Sequence, residues 1–190
     1  MRRPFKIGVA GTHSTGKTTF LDALEARFQV LGCSAARVHP DARVARSIGL
    51  PILRHHTFES TAWMMGETIR AEAAASPEHD IILVDRPILD ALGYLIAALR
   101  VTDRHVQADR MERLTALCLS WLPDYDLLFV THLDPTIPTA SGRDTDEEYR
   151  REVDRTIIDL VKTYATEAHV LRHDRAAEAF ALTMAAFERR

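Results

Sequence analysis

The segment Gly11-Thr12-His13-Ser14-Thr15-Gly16-Lys17-Thr18, followed by Thr19, has the spacing G-x-x-x-x-G-K-[ST] at every fixed position. Glycine at 11 and 16 permits a turn in which successive backbone N–H groups point inward at phosphate oxygens. A helix starting near Lys17 adds the positive end of its dipole to that cradle. Lys17 is then expected to reach the β- and γ-phosphates of a nucleoside triphosphate, and the Thr18 hydroxyl to ligate Mg²⁺. Gly11, Ser14, Thr15, Gly16, Lys17, Thr18 and Thr19 form the expected nucleotide-binding set. His13, in the variable part of the loop, is given no role.

The run Ile81-Ile82-Leu83-Val84 ends in Asp85-Arg86-Pro87. An acid after four apolar residues has the form of a strand whose carboxylate lies near a Mg²⁺ shell, so Asp85 joins Thr18 as an expected metal ligand. Arg86, beside it, can clamp an acceptor or stabilise transferring phosphoryl charge. The bland reading of the pair is a surface ion pair or a helix cap. Asp41, after Ala35–Pro40, reads as the N-cap of a helix over Ala42–Ile48.

These residues need elements to position them. Apolar, partly β-branched runs at Phe5–Ala10, Ala35–His39, Ile81–Val84, Asp126–Thr131 and Ala168–Arg172 suit strands covered on both faces. Between them, apolar residues recur at helical spacing: Phe20, Leu24 and Phe28; Phe58, Ala62, Met65 and Ile69; Met111, Leu114, Leu117 or Cys118, and Trp121; Val153, Ile157, Leu160 and Tyr164; Phe180, Met184 and Phe187. A further helix, opened by Pro87, is expected over Ile88–Ala98. Each stripe is read as a core-facing helix side. Strands alternating with helices imply an α/β fold with a mainly parallel sheet.

Residues Asp134–Asp144 are the most loop-like, and Thr145 with Glu148 forms a T-x-x-E capping box for a following helix. Arg143 sits at that junction, where a lid over 134–155 could bring it onto the phosphates and exclude water. Arg150 is a second candidate, although Asp146–Arg150 also reads as an exposed i,i+4 pair. Arg151 and Arg155 are read as solvated. Arg43, Arg46, Arg54, His55, His56 and Trp63 cluster between the second and third strands, where Trp63 can stack on a planar base or equally pack the core.

Three stretches resemble small-molecule P-loop kinases of the NMP-kinase-like group, nearest the AAA-like ATP-binding group that includes bacterial nicotinamide-riboside kinase domains. They are Gly11–Thr19, Val84–Tyr94 and Ser141–Arg150. The resemblance implies a three-layer P-loop NTPase fold, with about five strands and helices on both faces, as one domain over 1–190. It also implies ATP and Mg²⁺ as cofactors and transfer to a nucleoside- or nucleotide-like acceptor, whose pocket forms between the second and third strands, with Lys17, Asp41, Asp85, Arg86 and Arg143 as catalytic residues. In that pattern a carboxylate at the end of the second strand serves as base, so Asp41 and Asp85 compete for the acceptor hydroxyl, which the base must reach directly or through one water. A regulatory ATPase without an acceptor is the alternative. A GTPase fits less well, since Thr131-His132-Leu133-Asp134 has His where a guanine-reading motif carries Lys.

With 190 residues, 27% charged, and a formal net charge of -3, the chain lacks the basic surplus of a nucleic-acid binder. Cys33 and Cys118 form no metal or redox motif, and Cys118 lies among leucines as a core residue. The charged start lacks the apolar stretch of a signal peptide, and no run suits a membrane span, so the cytoplasm is expected. A homodimer is left open.

Overall fold

The computed structural model describes residues 3–134 and 146–190. Five strands form one sheet of order β2-β3-β1-β4-β5: β1 Phe5–Ala10, β2 Ala35–Val38, β3 Ile81–Asp85, β4 Leu127–Thr131 and β5 His169–Leu171. Every pairing is parallel. All five apolar runs become strands; β1 keeps its expected bounds and β2 ends one residue short of His39. β3 takes in Asp85, β4 begins after Asp126, and β5 is trimmed at both ends. Asp126, just before β4, still donates its backbone N–H to Lys6 O at 2.9 Å, while its carboxylate accepts from Arg3 and the Lys6 N–H.

The helices are α1 Lys17–Val30, α2 Ala42–Ser47, α3 Phe58–Ala75, α4 Ile88–Thr102, α5 Ala108–Trp121, α6 Glu147–Tyr164 and α7 Ala176–Glu188. Short 3₁₀ turns lie at Leu53–His55, Leu122–Asp124 and His173–Arg175. α4 runs a turn beyond the expected Ala98, and Pro87 stands at its N-cap rather than inside its first turn. α6 is capped by Asp146, whose side chain accepts from Tyr149 N, so the helix begins without the expected Thr145 cap. Residues 135–145 of the expected lid stretch, Arg143 and Thr145 among them, fall outside the described residues.

Two layers of helix cover the sheet. Phe20, Leu21, Leu24 and Phe28 of α1 pack with Ile81, Leu83 and Phe129, joined by Phe180 and Phe187 of α7. The alternate strand residues Ile82 and Val84 meet Ala71 and Ala75 of α3. This alternation is the period-two geometry of a strand buried on both sides. α4 is the central helix of the second layer, packed with α5 and α6 through Leu92, Leu95, Leu114, Cys118, Val153 and Ile157. Gly93 permits the closest approach there, since a Cβ on it would lie 2.6 Å from Ile157 Cγ1.

A buried polar cluster sits behind this layer. Lys6 Nζ lies 2.8 Å from Glu72, which is fully buried. Trp121 Nε1 donates to Glu72 at 2.8 Å and Tyr125 Oη donates at 2.6 Å. The carboxylate is thus paired and hydrogen-bonded on both oxygens, the condition under which a buried charge is tolerated.

Register decides what meets at the sheet's carboxyl end. Val9 pairs with Asp85, and Ala10 pairs with Val130. The residues following β1 therefore emerge between Asp85 and Thr131. β2 and β3 lie on one side of β1, β4 and β5 on the other. Open α/β sheets bind ligands outside the strand ends where the chain reverses its direction of winding.

Candidate active site

The loop after β1 is held in the conformation its glycines permit. Gly11 has φ 136° and Gly16, at the N-cap of α1, φ 85°. No side chain caps α1, so its first N–H groups face the loop interior, where a phosphate can satisfy them. Thr15 Oγ1 and Thr131 Oγ1 are 2.6 Å apart, and Thr131 Oγ1 donates to Ala10 O at 3.1 Å. That pair ties the loop to the end of β4. Lys17 is buried, its Nζ donating to Thr12 O and lying 3.4 Å from Thr15 Oγ1. Thr12 Oγ1 is buried with no hydrogen-bond partner among the described residues.

Asp85 joins the loop from β3. Thr18 Oγ1 donates to Asp85 Oδ2 at 3.2 Å. Arg37 of β2 places Nη2 at 3.8 Å from the same oxygen. A hydroxyl and a carboxylate together are hard oxygen donors that fit Mg²⁺, a cation bound through one or two protein oxygens plus phosphates and water. Among the described residues no group of three or more His, Cys, Asp or Glu side chains forms an all-protein metal cage.

Arg86 follows in a left-handed conformation, φ 73°, which costs a non-glycine residue about 1–2 kcal/mol. The turn aims its guanidinium under the loop: Nη1 donates to Tyr94 Oη at 2.6 Å and to Gly11 O at 3.3 Å. Asp90, one helical turn on, accepts from Gly11 N at 3.2 Å and lies 3.6 Å from Arg86 Nη1. Both polar groups of Gly11 are therefore held by the β3–α4 junction. Burial pushes the Asp90 carboxyl above the usual carboxylate range, against the opposing pull of Arg86, Lys17 and the Gly11 N–H.

The remaining expected site residues are distributed differently. Asp41 caps α2, accepting from Arg43 N at 2.8 Å, and the Arg43 guanidinium binds both its oxygens. Those hydrogen bonds hold its carboxyl below the ordinary range. Arg150 is buried, and its Nη2 lies 3.4 Å from His13 O and 3.5 Å from Ser14 O. The exposed Asp146–Arg150 pair expected from spacing is replaced: Asp146 binds Arg54 at 2.8 Å, and Arg150 lies 3.8 Å from Glu147. Arg151 and Arg155 make exposed pairs with Glu147 and Glu152.

Two cavities flank the loop. One, of about 250 Å³, is lined by His13, His56, Met64, Arg86, Asp90 and Tyr94, with Arg43 and Arg46 also in its wall. Arg54, His55 and Trp63, expected in this cluster, stand outside its lining. The other, of about 420 Å³, lies across the loop, with Thr15, Gly16, Thr19 and Phe20 on one side and Arg172 and Phe180 on the other. Sequence reasoning missed Asp90 and the Arg172–Phe180 wall. Asp90 was legible only as a polar position in an otherwise apolar α4 stripe.

No curated protein matches the chain. Among solved structures, it is similar to the NadR protein in complex with NR, with a TM-score of 0.64 and 18% identity over 94% of this chain and 49% of that one. The chain thus spans about half the length of NadR. It is also similar to deoxyadenosine kinase from M. mycoides with bound dATP, with a TM-score of 0.64 and 14% identity over 97% of this chain and 100% of that one. The shared architecture is the three-layer P-loop kinase fold. The AAA domain family matches residues 6–178, and the chain belongs to that family.

Proposed function

We propose that the chain transfers the γ-phosphoryl group of ATP, with Mg²⁺, to a hydroxyl of a nucleoside-like small molecule. The observation that carries this reading is the placement of the phosphate loop between two cavities, with Lys17, Arg86 and Arg150 converging on it. A nucleotide hydrolase needs one cavity; a transferase needs a second on the acceptor side. NadR with NR and deoxyadenosine kinase with dATP support a nucleoside-like occupant.

The donor base sits in the 420 Å³ cavity, against Phe20 and Phe180, with its phosphates along Gly11–Thr19. Lys17 reaches the β- and γ-phosphates. Thr18 and Asp85 hold the Mg²⁺, which when bound neutralises phosphate charge. Arg86 and Arg150 stabilise charge that develops on the transferring group, in a site where burial strengthens each interaction. Arg143, on sequence grounds, adds a cation from a lid over 134–155 that keeps water out.

An acceptor screen tests the proposal: purified protein, ATP and Mg²⁺ with a panel of nucleosides and nucleotides, products identified by mass. The expected result is a phosphorylated nucleoside with ADP in equal amount. ATP turnover that no panel member accelerates would favour a regulatory ATPase instead.

A further inference from the structure

An acceptor hydroxyl gives up a proton as its oxygen attacks phosphorus, and the group that receives it must face the acceptor cavity. Asp41 does not line that cavity, and Arg43 engages both its oxygens. Asp85 does not line it either; its carboxylate is turned to Thr18. Asp90 is the only carboxylate among the described residues of the cavity wall. It is 2% exposed and held from two sides, by Gly11 N and by Arg86. An ionised carboxylate offers about four acceptor positions, so these two partners leave capacity for a hydroxyl.

We propose that Asp90 is the catalytic carboxylate of the acceptor side, taking a hydrogen bond from the acceptor hydroxyl and then its proton. This rests on the phosphotransferase reading. The bond formed joins the acceptor oxygen to the γ-phosphorus. The bond broken is the one from that phosphorus to the β–γ bridging oxygen, whose electron pair leaves with ADP. The proton passes to Asp90 and is released to solvent with the products. Arg86, beside Asp90 and fixed to Tyr94 Oη, faces the same oxygen and steadies it. Because Asp90 also accepts from Gly11 N, the proton acceptor is built into the first residue of the phosphate loop, which fixes its distance from the transferring group.

The charged and titratable surroundings are consistent with this role. Arg86 from the β3–α4 turn, Lys17 from α1, Asp85 from β3 and Cys118 from α5 all act on Asp90 electrostatically. His13, His56 and Tyr94 share its cavity. Burial raises the affinity of Asp90 for a proton, bringing it nearer the working range of a general base.

Asp90→Asn tests the assignment, because asparagine keeps an oxygen for Gly11 N–H while removing the proton-accepting capacity, together with the charge that faces Arg86. In the full chain with ATP, Mg²⁺ and the nucleoside panel, kcat is expected to fall by ~10²–10⁴-fold. Affinity for a non-hydrolysable ATP analogue is expected to stay within about threefold, and the acid limb of the kcat/KM profile to vanish. Undiminished kcat, or loss of analogue affinity as steep as the loss of kcat, would overturn the proposal; the latter outcome makes Asp90 a strut for the loop. If the variant does not fold, wild type and His13→Asn decide: an acid limb present in both supports Asp90, and its loss in His13→Asn overturns it. A wild-type chain that binds the analogue yet phosphorylates no panel member would sink the phosphotransferase reading itself, and this assignment with it.

Discussion

Thr18, at the start of α1, and Asp85, at the end of β3, are 67 residues apart in the chain and meet through a 3.2 Å hydrogen bond. The parallel register of β1 and β3, with Val9 opposite Asp85, brings them together. If this pair holds Mg²⁺, each side chain contributes through the same ion. Thr18→Ala and Asp85→Asn are each expected to raise the Mg²⁺ concentration needed for half-maximal activity by about tenfold. The double variant should be little worse than the poorer single, because coupled residues are non-additive. Magnesium titrations of initial rate measure this, and full additivity would separate the two roles.

Lys17 is buried against the loop it serves, with Thr12 O and Thr15 Oγ1 about its ammonium. Lys17→Ala is expected to lower transfer by at least about a hundredfold, the scale of losing one charge-stabilising donor. The far-UV circular dichroism spectrum should be unchanged. Wild-type-like turnover in that variant would remove Lys17 from the mechanism.

Gly11 is constrained twice. It lies at φ 136°, and a Cβ there would stand 2.0 Å from Thr131 Oγ1. Gly11→Ala is expected to cost roughly 2–4 kcal/mol, combining backbone strain with overpacking. At Gly16, φ 85°, a Cβ would meet nothing within 4 Å, so Gly16→Ala carries the backbone cost alone, about 1–2 kcal/mol. Urea unfolding of the two variants gives the comparison, and equal losses would contradict the steric account.

His56 is buried beside Ser60, and desolvation, with Arg104 nearby, pulls its imidazolium down from 6.5 to about 4. Between those values the unfolded chain holds a proton that the folded chain does not, so stability rises with pH there and falls on acidification. The loss across the window is about 3 kcal/mol. His56→Gln is expected to flatten the stability profile between pH 6.5 and 4, as measured by urea midpoints at each pH. An unchanged slope would assign acid sensitivity to other groups.

Glu72 answers the charge of Lys6 and accepts from Trp121 and Tyr125. Glu72→Ala leaves the buried Lys6 ammonium with the longer 3.5 Å contact to Asp124, orphans the Trp121 and Tyr125 donors, and is expected to cost about 3–5 kcal/mol in denaturant unfolding. Replacing both partners, as in Lys6→Met with Glu72→Leu, should recover most of that loss, since apolar substitution of a buried pair is often near neutral. Failure of the double variant to recover would mean that the Trp121 and Tyr125 hydrogen bonds dominate.

Much of the fold was legible because its signals are local. Strand alternation, helical stripes and the glycine–lysine spacing depend on residues within a few positions of each other. Asp41 shows the limit of such reading. Its place after the second strand suited a base as well as a cap, and the Arg43 N–H and guanidinium took its carboxylate. Arg150 shows the reverse: its spacing from Asp146 read as a surface pair, yet in the fold it is buried beside His13 and Ser14.

Sequence alone therefore determined the phosphate loop with which the chain begins its chemistry, Gly11 to Thr19, because backbone conformation, helix start and side-chain type are all encoded there consecutively. It also determined which faces of the strands and helices are buried. Tertiary structure decided which groups complete the loop. Gly11 meets Asp90 across 79 residues, and Arg150 meets Ser14 across 136. Such contacts follow from strand order and helix register, which are set by the packing of whole layers rather than by any short run of residues.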